Sequence, residues 1–137
     1  MILDPEEYIA QVERINDEAW NTGEVALLDA LLVPEFASYS PLTGATVGRE
    51  AYEESILGLR QAYSDLQHKS MESALDPAHE LLFSRWTLSG TGAQGPIEFT
   101  GMSLTRIRDG RWVEKLLYFD TLDVLRQMGQ IPEAEAT

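Results

Sequence analysis

The chain contains no cysteine, which excludes disulfides, thiolate nucleophiles and sulfur-ligated metal and suits a reducing compartment. The expected location is the cytoplasm. Basic residues are also scarce, with ten Lys and Arg against 23 Asp and Glu and a formal net charge of −13. Residues 1–35 hold nine acids against Arg14 alone, a balance that repels nucleic acid and anionic lipid. Neither is an expected partner, and the acidity itself fits a solvated surface that keeps the protein in solution. No apolar run approaches the roughly 20 residues of a membrane span. The start, Met1 to Glu7, lacks the basic and apolar regions of a secretory signal. What is present is a globular composition, 44% hydrophobic and 24% charged over 137 residues, enough to bury one core without staples. A single domain over residues 1–130 is expected, with a frayed tail over residues 131–137.

Asp4-Pro5-Glu6-Glu7 supplies an N-cap, a proline at the first helical position and a carboxylate three residues after the cap. The helix that starts there carries Tyr8, Val12, Ile15 and Ala19, with Ile9 and Trp20 beside them, on one face until Asn21-Thr22-Gly23 stops it. A second short helix with Leu27, Leu28, Leu31 and Leu32 must end near Val33, because Pro34 removes a donor and restricts its neighbour. An extended piece, Phe36 to Ser40, a loop over Pro41 to Val47, and a third helix from Gly48 to Tyr63 follow. Strands are expected over Leu66 to Leu75, Glu80 to Gly90, Ile97 to Arg108 and Arg111 to Asp120, then a short helix over Leu122 to Met128. Helices first and antiparallel strands afterwards define an α+β fold, with N-terminal helices on a curved sheet, and not the alternation of a parallel sheet.

Asp109-Gly110 is a strong two-residue hairpin signal. Counting outward from it sets Ser103 against Leu116, Gly101 against Tyr118 and Phe99 against Asp120, all on one face. The opposite face then presents Thr100, Met102, Leu104, Val113, Leu117 and Phe119. Both faces are apolar, so helices cover one and a second copy of the chain is expected on the other, a dimer being favoured. A bulge that shifts the register is the competing explanation. On the first face Asp120 lies beside Phe99 and Tyr118, where poor solvation would suit it to accept and return a proton. Capping the last helix is its alternative role.

Trp20-Asn21-Thr22-Gly23-Glu24, Gly48-Arg49-Glu50-Ala51-Tyr52, Tyr63-Ser64-Asp65-Leu66, Arg85-Trp86-Thr87, Gly90-Thr91, Gly101-Met102-Ser103, Asp109 to Glu114, and Asp120 followed by Leu125 to Gly129 occur in an order that resembles the SnoaL-like polyketide cyclases of the nuclear transport factor 2-like superfamily. The resemblance implies a cone-shaped barrel with a ligand between helices and sheet. It further implies Asp120 as the acid/base of an intramolecular aldol closure, with no metal or organic cofactor. Departures are Ser40 and Gly92, where many members have histidine, and Leu116, where a tryptophan is frequent.

The expected substrate-lining set is Tyr118, Leu116, Phe99, Gly101, Ser103, Arg85, Trp86 and Tyr39, around Asp120 as the catalytic residue. Arg85 either pairs, with Asp120 or a substrate carbonyl, or faces solvent. Trp86 and Tyr39 line the pocket or belong to the core. His68 and His79 form no cluster, so no metal site is expected. The loop Gly90 to Pro96 is a lid or a plain connection. The expected function is therefore a cyclase or isomerase for a hydrophobic carbonyl compound, with a non-catalytic binding protein or an assembly domain as alternatives. Two neighbouring chemistries are incomplete: an epoxide hydrolase would need a third partner for Arg85 and Asp120, and a ketosteroid isomerase more than Tyr118 and Asp120.

Overall fold

The computed structural model describes residues 4–131; residues 132–137 of the expected tail lie outside them. Asp4 caps α1 (Pro5–Thr22) by accepting the amides of Glu6 and Glu7 at 3.1 and 3.2 Å, and Gly23 ends it in the left-handed region at φ 80°. Such a cap is worth ~1 kcal/mol. The expected second short helix is a 3-10 helix (Val25–Ala30), which ends before Leu31 because Leu32 is already in β1 (Leu32–Ser40). Pro34 sits where the ladder to β6 is interrupted and before pairing with β2 begins, so its missing donor costs no sheet bond.

β2 (Gly44–Val47) is a short edge strand inside the expected loop, formed by pairing with β1. Then come α2 (Arg49–Ala62), β3 (Gln67–Asp76), β4 (Leu81–Gly92), β5 (Gly95–Arg108), β6 (Arg111–Phe119) and α3 (Thr121–Gln127). The six strands run in the order β2-β1-β6-β5-β4-β3. All neighbours are antiparallel except β1 and β6, which are parallel, so the sheet is mixed where a purely antiparallel one was expected. The expected Gly90 to Pro96 loop is ladder almost to its tip, since Gly92 pairs with Gly95; that tip is a tight hairpin, not a lid.

α1 and α2 lie across one face of this sheet and close the core over it. Val12, Ala19 and Trp20 of α1 and Tyr52 and Ile56 of α2 pack with Phe36, Leu66, Leu82, Trp86, Leu88, Ile107 and Trp112. Full burial of a side chain such as Phe36 or Ile56 contributes about 1.5–3 kcal/mol. α3 packs along β5, where Gln127 bonds the Glu98 amide and carbonyl at 2.6 and 3.0 Å.

The last hairpin closes as expected at Asp109-Gly110, with φ of 53° and 78° and Arg108 facing Arg111. One turn further on, the register shifts between Arg106 and Ile107: Ile107 faces Trp112, but Arg106 faces Glu114. Val113 is the extra residue of this bulge, and every pairing beyond it differs by one from a straight count. Ser103 faces Leu117, Leu104 faces Leu116, Met102 faces Tyr118 and Gly101 faces Phe119. Since a one-residue shift exchanges the faces, Leu117 and Phe119 point to the helices, while Leu116 and Tyr118 point away.

Candidate functional site

The helix-facing side of the sheet is polar at its centre. Successive rows across the strands read Ser70, Trp86, Gly101 and Phe119; then Ser73, Ser84, Ser103 and Leu117; then Leu75, Leu82, Thr105, Lys115 and Ser38. His68 stands one row beyond Ser70, beside Leu88 and Phe99. His68 and Lys115 are only 5% and 4% exposed, and Ser38, Ser103, Thr105 and Asn16 are buried with them. Burying so many polar groups is costly unless each finds a partner.

Part of this cost is met by a network between α1 and β3. His68 Nδ1 lies 2.7 Å from Asp17 Oδ1. Asp17 also accepts the Ser70 amide at 3.1 Å and the Ser70 hydroxyl at 2.9 Å. The Asn21 amide clamps the His68 backbone from both sides, accepting its N–H at 2.6 Å and donating to its carbonyl at 3.0 Å. The His68 ring stacks on Trp20, 5.3 Å between centroids, and on Trp86, 5.7 Å away. Arg60 of α2 holds the Trp20 carbonyl at 2.8 Å. The Trp20-Asn21 motif therefore positions one imidazole: the indole covers it and the amide fixes its strand. Further along α1, Glu13 accepts from Ser73, whose hydroxyl lies 3.1 Å from that of Ser84.

The charges fit this arrangement. Burial pushes the His68 pKa below its ordinary value, outweighing the Asp17 hydrogen bond that raises it, and the Lys115 charge lowers it further. His68 is thus a neutral imidazole near pH 7. Burial acts to raise the Asp17 pKa, but hydrogen bonds from His68 and Ser70 together hold it below the usual carboxylate value. Burial pushes Lys115 down to about 8, with Asp17 opposing. Asp17 as acceptor at Nδ1 keeps the ring proton there and leaves the Nε2 lone pair available; Nε2 makes no hydrogen bond to the described residues. Buried polar atoms without a partner among the described residues are Asn16 Oδ1, Ser103 Oγ, Tyr52 Oη, Glu53 Oε2 and the indole nitrogens of Trp20, Trp86 and Trp112. The Trp20 nitrogen lies near the Tyr52 hydroxyl without closing a well-formed bond.

The expected site residues divide between the two faces. Phe99, Gly101, Ser103 and Trp86 are on the inner wall. Trp86, Phe99 and Phe119 form an aromatic group there with centroids 5.2–6.4 Å apart. A Cβ on Gly101 would collide with the Trp86 ring, so the aromatic facing this glycine is Trp86 and not Tyr118. Tyr118 is 63% exposed on the outer face, with Leu116 half-buried on the same side, both carried there by the bulge. Arg85 also points outward and bonds Glu72 at 2.7 Å rather than Asp120. Asp120 is exposed and caps α3, accepting the Asp123 amide at 3.0 Å.

Tyr39 is partly exposed at the rim of a notch of about 260 Å³, which Ser40, Pro41, Gly44, Ala45, Leu117 and Tyr118 complete. This notch lies where β1, the β1–β2 turn and the end of β6 meet. Among the described residues no group of three or more His, Cys, Asp or Glu is arranged to hold a metal ion, and no helix is long and apolar enough to cross a membrane.

Asp17, His68 and Lys115 were absent from the expected site. A signal for Asp17 was available: Asn16 and Asp17 interrupt the apolar stripe of α1 one turn after Val12 and Glu13, on the side that meets the sheet. His68 and Lys115 are single residues in strands whose facing depends on two bulges, one at Met71 and one at Val113.

The sequence model of one family, SnoaL-like polyketide cyclase, matches residues 10–128. Solved structures share the fold across nearly the whole chain. TsrD from Streptomyces laurentii is 22% identical, covering 95% of this chain and 100% of its own with a TM-score of 0.81. A candidate SnoaL-like polyketide cyclase from Jannaschia sp. CCS1 is 17% identical, covering 96% and 98% with a TM-score of 0.79. IdmH, a candidate polyketide cyclase from Streptomyces antibioticus, is 24% identical, covering 92% and 99% with a TM-score of 0.72. No curated protein matches significantly.

Proposed function

The chain belongs to the SnoaL-like polyketide cyclase family, and from that premise we propose that it is a cofactor-independent cyclase or isomerase for a hydrophobic carbonyl compound, with His68 as proton carrier. One observation supports this reading above the others: a neutral, buried imidazole on the helix-facing side of the sheet, oriented by a carboxylate at 2.7 Å, with no hydrogen bond from its second nitrogen to the described residues. A base held in one tautomer by an acid behind it is the arrangement that proton transfer needs.

In this scheme His68 Nε2 takes a proton from a carbon flanked by carbonyls, and Asp17 stabilises the imidazolium that forms. The enolate carbon then attacks a second carbonyl of the same molecule, and the imidazolium returns the proton to the resulting alkoxide. Ser103 Oγ and Trp86 Nε1, both buried and unpartnered, are donors suited to the developing negative oxygen. The aromatic group of Trp86, Phe99 and Phe119 suits an apolar substrate folded so that its two carbons meet. Asp120 is the rival proton carrier. Its carboxylate is engaged by the helix it caps and stands in water, and for that reason His68 is preferred.

The test is catalysed exchange of the acidic carbon-bound protons of a panel of hydrophobic β-keto esters in D₂O, followed by NMR. Exchange above the buffer rate that falls about 10²–10⁴-fold in His68→Gln supports the scheme. Binding of panel members with no exchange points instead to a carrier of hydrophobic small molecules.

The outer face supports a dimer. Phe83, Leu104, Leu116 and Tyr39 form one apolar row across four strands, and Met102 and Tyr118, 58% and 63% exposed, extend it. Arg85–Glu72 flanks this row on one side and Arg106–Glu114 on the other. Both signs thus border the patch, as a two-fold partner copy requires. Sedimentation of Leu104→Glu as a monomer, with the parent chain sedimenting as a dimer, is the expected outcome.

A further inference from the structure

Lys115 is unusual for a buried lysine. It stands on the inner wall between Thr105 and Ser38, and its Nζ lies 5.2 Å from the centre of the Trp112 ring. Among the described residues no carboxylate lies within ion-pair distance of it. Buried lysines kept for structure are usually paired. Here the charged neighbours are the Asp17–His68 pair: Asp17 attracts the ammonium, and the ammonium lowers the proton affinity of His68. The chain has one other lysine, Lys69, which is exposed on the outer face of β3 next to His68.

Resting on the reading that the inner wall receives a carbonyl compound, we propose that Lys115, on the same helix-facing side of the sheet as His68, captures that compound covalently as an imine. The amine nitrogen adds to the carbonyl carbon, forming a C–N bond while the carbonyl π pair moves to oxygen. Proton transfers from nitrogen to oxygen turn the hydroxyl of this carbinolamine into a leaving water. The nitrogen lone pair then forms the C=N bond. In total an ammonium and a ketone give an iminium and one water, with no oxidant, reductant or further reactant.

The iminium draws electrons from the adjacent carbon more strongly than a ketone does, so His68 Nε2 can take that carbon's proton to leave an enamine. A lysine desolvated beside an aromatic face, on the same wall as a base whose proton affinity its charge lowers, has surroundings that suit a nucleophilic amine. Burial leaves an appreciable share of Lys115 as free amine near neutral pH, its pKa being about 8.

The experiment uses the whole chain and 2,4-pentanedione, a small β-diketone that forms a stable conjugated enamine with a free amine. Peptide mapping by mass spectrometry compares the rate of adduct formation at Lys115 and Lys69 in the same sample. Modification about tenfold or more faster at Lys115 supports the proposal. Lys115 modified no faster than Lys69, or unmodified, overturns it. This comparison uses the parent chain alone, so it does not depend on the folding of a variant.

Proton exchange in Lys115→Arg separates the two ideas. If this variant keeps the exchange rate while His68→Gln loses it, the imine is wrong and the proton-transfer scheme stands. Labelling at Lys115 together with unchanged exchange in His68→Gln sinks the scheme and leaves the amine as the reactive group.

Discussion

The two faces of one sheet, built from alternate residues of the same strands, differ in kind. The outer face is an apolar row of Phe83, Leu104, Leu116 and Tyr39 edged by exposed ion pairs. The inner face is aromatic at one end and polar at its centre, with His68, Ser70, Ser103, Thr105 and Lys115 beneath the helices. An apolar surface left open and a polar surface covered over is the reverse of what stability alone selects. The first arrangement is the surface proposed to meet a second copy of the chain. The second keeps an imidazole and an amine away from bulk water.

The largest expected effect falls on the inner wall. His68→Gln lowers β-keto ester proton exchange by about 10²–10⁴-fold, read by NMR. Asp17→Asn removes the carboxylate behind the ring and lowers the same rate by about 10–100-fold, with the chain still folded by circular dichroism.

The pH profile sharpens the contrast. The His68 pKa is depressed by burial, so its free base, and with it the exchange rate, persists below the ordinary histidine value of roughly 6.5 and is lost as pH falls through the depressed value. Stability moves in the same sense. A depressed native pKa contributes stability that is present above the unfolded value and lost as pH falls through the native one, and the depressed Asp17 adds to this at lower pH. Asp17→Asn removes the hydrogen bond that raises His68, so the acid limb of the exchange profile moves to still lower pH.

A smaller effect tests the packing beneath the ring. Gly101→Ala drives a methyl into the Trp86 indole, costing about 1–3 kcal/mol in thermal or urea unfolding and loosening the stack on His68. The smallest effect is at the rim. Asp120→Asn preserves an N-cap side chain of similar quality and shifts stability by less than about 0.5 kcal/mol, whereas Asp120→Ala costs ~1 kcal/mol.

Much of the fold was legible because its signals are local. The Asp4-Pro5 start of α1, its Gly23 stop and the Asp109-Gly110 turn each depend on a few adjacent residues, and all three stand where they were expected. The parallel pairing of β1 with β6 was not legible, since it joins strands more than 70 residues apart. The faces of β6 were lost to a single residue. Val113 bulges, and a count that was right at Arg108 and Arg111 is wrong at Ser103 and Gly101.

That one shift moved Tyr118 and Leu116 out of the expected site and Phe119 and Leu117 in. His68 carries no local signal in sequence, because its partners, Asp17 on α1 and Trp86 on β4, reach it only through tertiary structure. The Trp20-Asn21 motif marks the family, and its physical role is tertiary: the indole covers the His68 ring and the amide holds the His68 backbone.

The most direct measurement is β-keto ester proton exchange in two single variants prepared side by side, His68→Gln and Asp120→Asn. A reaction carried by the buried imidazole predicts collapse of the rate in the first and a rate within about twofold of the parent in the second. Full exchange in His68→Gln together with collapse in Asp120→Asn would contradict the account and return the chemistry to the rim.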